Sequence, residues 1–233
     1  MRLNISGLTP FTTIDFPSHL AAVVFLQGCS WRCSYCHNPH LLEVNKEGDD
    51  WEMLRRFLES RRGFLDGIVL SGGEPLLQSG LADAIASIKE MGFKVALHTA
   101  GANPRRLEQH LPMLDWVGLD IKTSFANYSQ ITGIEGSGDK ARESLALVIE
   151  SGIDYEVRTT VDPNFFTRNT VLELAEVLAA AGVTHYALQE CRAVEGEKIE
   201  NSSLFDRSLL DQIKAIFPTF ILRHSNATQG IYH

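Results

Sequence analysis

What most constrains this chain is an alternation that runs almost its whole length. Short apolar, β-branched runs are separated by amphipathic stretches of helical period. Strands are expected near 22–26, 67–71, 94–99, 116–121, 154–161, 185–189 and 220–223, with helices between them at 51–60, 80–91, 104–111, 140–151, 169–181 and 206–217. Gly92, Gly152 and Gly182 stand just past three of those helices, where a left-handed C-cap carries no Cβ penalty. Right-handed crossovers force such strands into a parallel sheet covered by helices.

Two closures compete. A doubly wound sheet announces a nucleotide site with a glycine-rich turn after its first strand, whereas here that strand runs into GCSWRCSYCHNP. At about 30 residues per unit, the chain holds six or seven units, short of the ~250 residues of an eight-fold barrel. The expected fold class is therefore α/β, an incomplete (β/α) barrel (a partial TIM barrel of six to seven parallel strands), as a single domain over 1–233. In either closure the chemistry belongs at the C-terminal ends of the strands. The glycine-rich stretch 132–138 reads as a surface loop.

Composition narrows the function classes. A formal charge of -8 argues against a nucleic-acid partner. The longest apolar stretch, 20–26, is far below the ~20 residues of a membrane span, and no basic-then-apolar leader precedes it. A cytoplasmic chain with no membrane partner is expected. Of four cysteines, Cys29, Cys33 and Cys36 lie on one short loop, which rejects a distributed disulfide framework and points to metal or redox chemistry.

That loop, C-x-x-x-C-x-x-C after the first strand, aims three thiolates at one point. Structural zinc wants four ligands, so Cys191 or His37 would have to complete a zinc site. A [4Fe-4S] cluster held by three thiolates leaves one iron open to a substrate or cofactor. A redox disulfide is the third reading. Cys191 itself reads most simply as a buried, inert thiol.

CSWRCSYC, with Tyr35 just before the third cysteine, resembles the cluster motif of the radical S-adenosylmethionine (SAM) superfamily, and SGGEP at 71–75 follows the second strand where that superfamily places its second motif. The resemblance implies a [4Fe-4S] cluster on Cys29, Cys33 and Cys36 as catalytic and metal-binding residues. It further implies SAM on the open iron and reductive cleavage to a 5'-deoxyadenosyl radical.

Around the cluster motif the residues suggest a cofactor site. Gly72 and Gly73 let backbone approach a ligand, and Glu74 offers an acceptor to an ammonium group, unless it merely caps a strand-to-helix turn. DIK at 120–122 resembles the D-x-K element of radical-generating activases and places Asp120 and Lys122 around SAM, against the alternative of a solvated ion pair. Arg158, in YEVRTTV, suits the cofactor carboxylate as a planar fork, with a buried structural ion pair as the rival. Gln189, in YALQEC, matches a polar cofactor contact, and Tyr35, His37 and Asn38 match further ones. HTAG at 98–101 departs from the acidic residue plus TNG common in activases, so His98 reads as a satisfied strand-end histidine. Trp31 reads as a shield for the cluster.

The lead-in GLTPFTTIDFPSHLAAVVFLQGCSWRCSYCHNP is similar to that of the longer activating proteins of anaerobic ribonucleoside-triphosphate reductases. This resemblance implies a minimal activase without auxiliary clusters, which installs a glycyl radical on that reductase and draws electrons from a donor such as flavodoxin or ferredoxin. The rivals are an activase of a formate-lyase-type enzyme, a small-molecule radical enzyme such as a 7-carboxy-7-deazaguanine synthase, and a non-catalytic zinc or iron-sulfur module.

Overall fold

The computed structural model describes residues 3–44, 51–191 and 204–224. Its centre is one eight-stranded sheet in sequence order, β1 (Ile5–Thr12), β2 (Ala21–Leu26), β3 (Gly67–Gly72), β4 (Lys94–Thr99), β5 (Trp116–Asp120), β6 (Tyr155–Val161), β7 (His185–Glu190) and β8 (Thr219–Arg223). Strands β2 to β8 run parallel, so the expected partial barrel is found with seven parallel strands. Strand β1 is an unexpected antiparallel addition to β2. Gly7 and Pro10 break its sequence signal. An outer strand with two register shifts tolerates both, because its far edge owes no ladder hydrogen bonds.

The helices are α1 (Trp51–Arg61), α2 (Leu81–Glu90), α3 (Pro104–His110), α4 (Tyr128–Thr132), α5 (Ser137–Ser151), α6 (Arg168–Ala180) and α7 (Arg207–Ile216). Gly92, Gly152 and Gly182 all have the positive φ expected of helix ends. The stretch 132–138 holds the expected surface loop at 133–136, where Gly133, Glu135 and Gly136 are exposed, but its two ends belong to helices. Thr132 closes α4, Ser137 opens α5, both are fully buried, and their hydroxyls meet at 2.7 Å, so the short polar side chains satisfy each other.

Strand periodicity sorts the core into two layers. Ala22, Val24, Ile68, Leu70, Val157 and Leu188 pack outward into the main cluster, which also holds Leu54, Ile85, Leu107, Leu145, Leu174 and Ile213 of the helices. The alternate residues Ala21, Val23, Val69, Ala96 and Trp116 form a smaller inner cluster with Phe16. Phe16 comes from the loop between β1 and β2, is 2% exposed, and floors the barrel at the N-terminal ends of the parallel strands.

Candidate active site

The cysteine loop leaves the end of β2 and is held from both sides. Gly28 N–H donates to the Leu41 carbonyl, Arg32 and Ser34 N–H groups donate to Thr132 and Ile131 at the end of α4, and the buried Gln27 amide donates to the His40 and Glu43 carbonyls. This frame turns Cys29, Cys33 and Cys36 toward one cavity of about 310 Å³. Trp31 N–H donates to Cys29 Sγ at 3.4 Å, and its ring meets Tyr128 edge-on beneath the loop. Burial pushes the Cys29 thiol up to about 11 and raises that of Cys33. Among the described residues no three His, Cys, Asp or Glu side chains gather closely enough to grip a single metal ion.

At the end of β3 the backbone of Gly72 and Gly73 presses against the cysteine loop. Gly72 has φ 118°, and a Cβ there would lie 2.2 Å from Leu26 N; one on Gly73 would lie 2.3 Å from the Gly28 carbonyl oxygen. Only glycine fits this contact. Glu74 does not present a free acceptor to the cavity. It is fully buried: Oε1 accepts from Leu76 N–H (3.1 Å) and the Thr99 hydroxyl (2.7 Å), and Oε2 accepts from Ala100 N–H (3.0 Å). The capping alternative is the one realised, because the backbone turning away from β3 leaves amide donors that a buried carboxylate satisfies. Its burial raises its pKa, and these three donors oppose the rise.

Asp120 and Lys122 project from the end of β5, with Lys122 Nζ 3.5 Å from Asp120 Oδ2 and 5.9 Å from the centre of the Tyr35 ring. Burial is the largest influence and works against the Lys122 charge, but Asp120, Tyr35, Cys33 and Tyr128 together outweigh it and hold the pKa above the usual lysine value. Tyr128 fixes the segment, its hydroxyl accepting from Lys122 N–H (2.9 Å).

Arg158 forms the buried ion pair and still lines the cavity. Its Nε donates to Glu156 Oε1 at 2.7 Å, a pair buried on both sides, while the guanidinium lies 5.0 Å over Trp116 and reaches the cavity. Gly118 on β5 makes the room, since a Cβ there would lie 2.9 Å from Arg158 Cζ. Glu156 is also gripped by Arg223 of β8 through both its oxygens, at 2.7 and 2.9 Å. Burial disfavours its charge, yet the two arginines hold its pKa below the usual carboxylate value. His98 Nε2 donates to the Asp15 carbonyl at 2.8 Å, and Arg158 Nη1 lies 3.2 Å from the ring. It is a satisfied strand-end histidine. Burial, then Arg158, lowers its pKa well below the usual value.

The cavity thus gathers His37 and Asn38 of the cysteine loop, Gly72 and Gly73, Asp120, Lys122, Arg158 and Gln189 with the three cysteines and Tyr35; of the expected site residues only Glu74 is sealed off. Sequence reasoning missed Thr160 and Glu190, which line it, and Glu156, Tyr128 and Gln27, which brace it. Alternation along YEVRTTV puts Glu156, Arg158 and Thr160 on one face, so that pattern held the signal for two of them. Cys191 is 2% exposed and packs on Tyr35, with Sγ 3.8 Å from His37 Nε2.

The profile of the Radical SAM superfamily matches residues 23–178. The chain belongs to the radical SAM superfamily. Its cofactors are those of the superfamily, a [4Fe-4S] cluster and SAM. Within it the chain is of the glycyl-radical activating type. A Methanocaldococcus jannaschii protein that carries the name of a glycyl-radical enzyme activating enzyme is 30% identical over 197 residues, spanning 82% of this chain and 80% of that one. The pyruvate formate-lyase-activating enzyme of Clostridium pasteurianum is 33% identical over 184 residues, 75% and 76% of the two chains. In fold, the radical SAM chain resembles Streptococcus suis SuiB bound to SAM, with a TM-score of 0.64 at 15% identity over 85% of this chain. It spans about half of that protein, 48%. No helix among the described residues is long and apolar enough to cross a membrane.

Proposed function

We propose that this chain reductively cleaves SAM and installs a glycyl radical on an anaerobic ribonucleoside-triphosphate reductase. The observation that carries the reading is one cavity at the C-terminal strand ends that joins three thiols, a backbone cradle and two cationic side chains. Cys29, Cys33 and Cys36 would hold the cluster. The donor set suits it: a tetrahedral zinc site needs its sulfurs within about 4 Å of one another at Zn–S of about 2.3 Å, whereas a cubane takes each thiolate on a different corner. When bound, the two cofactors supply one-electron cleavage and hydrogen abstraction from a glycine.

The chain's own residues would position that chemistry. Gly72 and Gly73 bring backbone groups to the methionyl end of SAM. Lys122 and Arg158 carry the positive charge that suits its carboxylate, Asp120 supplies an acceptor, and His37, Asn38 and Gln189 supply neutral polar contacts. Glu74 would act one step removed, by holding the turn. A cytoplasmic setting and a flavodoxin or ferredoxin donor accompany this reading.

The lead-in before the first cysteine favours the reductase as partner. The Clostridium pasteurianum relative favours a second reading, a formate-lyase-type partner. The test is anaerobic electron paramagnetic resonance of the reduced, reconstituted chain with SAM and each purified partner in turn. A glycyl doublet on the reductase alone is expected. A doublet only on the formate-lyase-type enzyme would replace the partner, and none on either, with SAM consumed, would point to a small-molecule substrate.

A further inference from the structure

Two buried amides, Gln27 and Gln78, join the cysteine loop to the turn after β3, and neither lines the cavity. Gln27 stands between β2 and the loop. Its Nε2 donates to the His40 carbonyl at 3.2 Å and to the Glu43 carbonyl at 2.8 Å, so both of its side-chain N–H bonds are spent on the loop's exit. Beside them Gly28 N–H donates to the Leu41 carbonyl (2.8 Å) and Cys29 N–H to that of Leu42 (3.3 Å), so the loop is clasped where it begins and ends. Gln78, just past the turn that carries Gly72 and Gly73, grips Gln27 in its turn. Its Nε2 donates to the Gln27 carbonyl at 2.7 Å, and its Oε1 accepts from Asn4 N–H at 3.0 Å. Backbone alone could not make this grip, because consecutive carbonyls of an extended chain point to opposite sides. The Leu26 and Gly28 carbonyls accept from Gly73 and Glu74 N–H, both at 2.9 Å, whereas Gln27 N–H turns to the Asn4 carbonyl on the β1 side (2.8 Å). A side-chain amide carries the donor and acceptor of a peptide group and reaches round to that side. Arg106 of α3 secures the far end, its Nη2 donating to the Gln78 carbonyl at 2.5 Å.

We propose that Gln27 and Gln78 are positioning residues that act in series, fixing the cysteine loop against the Gly72–Gly73 turn and so setting the spacing between cluster and SAM. The inference rests on the proposed cluster and SAM sites. With bonds on one side of the strand end only, the loop could pivot about it; the two amides hold the other side. A reacting pair is sensitive to such a pivot, since a misplacement of about 1 Å can cost about 10²-fold in rate. Residues of this kind govern kcat and leave the affinity for SAM nearly alone.

The experiment compares the chain with Gln27→Met, Gln78→Met and the double variant, which keep the length of the side chains and lose their hydrogen bonds. Its first readout is amide hydrogen exchange in the full chain without cofactors. Gly28 and Cys29 should exchange faster in Gln78→Met as well as in Gln27→Met, although the Gln78 side chain bonds neither amide. Faster exchange at Asn4 alone would mean that Gln78 serves β1 only, and would overturn the proposal. The second readout is SAM cleavage by the reduced, reconstituted chains, matched for iron and sulfide. Expected is a kcat lower by about tenfold in each single variant with KM for SAM nearly unchanged. The double variant should be no slower than the slower single one, because links in series are lost only once. Losses that multiply, or a raised KM at native kcat, would overturn the proposal. Should Gln27→Met hold no cluster, Gln78→Met decides alone. A native chain that loads no iron overturns the cluster assignment and this inference together, whereas full loading with native kcat in every variant overturns this inference alone.

Discussion

Burial holds Cys29 and Cys33 as thiols when no metal is present, so the charge they need as thiolates has to come from the iron they bind. Replacing Cys29, Cys33 or Cys36 by Ala is expected to abolish the cluster, read as loss of iron and sulfide together with all SAM cleavage. Cys191→Ala should leave both in place. His98 makes a second prediction. Its neutral form is the one the fold accepts, because the ring is buried and Arg158 and, more weakly, Arg223 disfavour a charge there, while Nε2–H donates to the Asp15 carbonyl. A lowered native pKa means that the unfolded chain takes up a proton first as the pH falls through 6.5. The stability owed to neutral His98 is therefore complete above that pH and lost below it, by at most about 1.4 kcal/mol per pH unit. Urea unfolding of the chain and of His98→Gln at pH 8 and 5.5 checks this: only the native chain should lose ground. Motif spacing made the cysteines, Asp120 and Lys122 legible in sequence, since each lies on a local segment. Glu74 was misplaced because a motif names a position, while the direction of its side chain depends on Thr99 and Ala100 of another strand end.

Among the elements, β8 is tied to the interior through a side chain two strands away. Glu156 on β6 joins Arg158 beside it and Arg223 across β7. Removing the carboxylate leaves one well-buried guanidinium and one partly buried one unpaired, and Glu156→Ala is expected to cost about 3–5 kcal/mol. It should also speed amide exchange in β8 more than in β3, measured by hydrogen exchange. The seven parallel strands and six of the helices could be read from periodicity because each buries a face of its own. Two elements could not. Strand β1 carries Gly7 and Pro10, and survives by pairing with β2. Helix α4 has five residues, too few for a helical pattern to show, and its end is pinned by the amides of Arg32 and Ser34. The Glu156 bridge was equally hidden, because nothing local in TFILR marks which strand its arginine will cross to meet.

For the whole molecule, the sheet's order leaves β1 and β8 as its two edges and puts all the expected chemistry at one end. A partner delivering a glycine to that cavity has to reach the C-terminal ends of the strands. Charge steering of such an encounter weakens with salt, so activation of the partner is expected to slow as ionic strength rises while cleavage of SAM by the free chain changes little, a contrast visible in parallel initial-rate assays. Phe16 adds something more. It closes the barrel at the N-terminal ends of the strands, so cofactor and client glycine have to share the opposite end. A client seated there is therefore expected to delay the exchange of spent cofactor, read as slower turnover of SAM with the partner bound than without it.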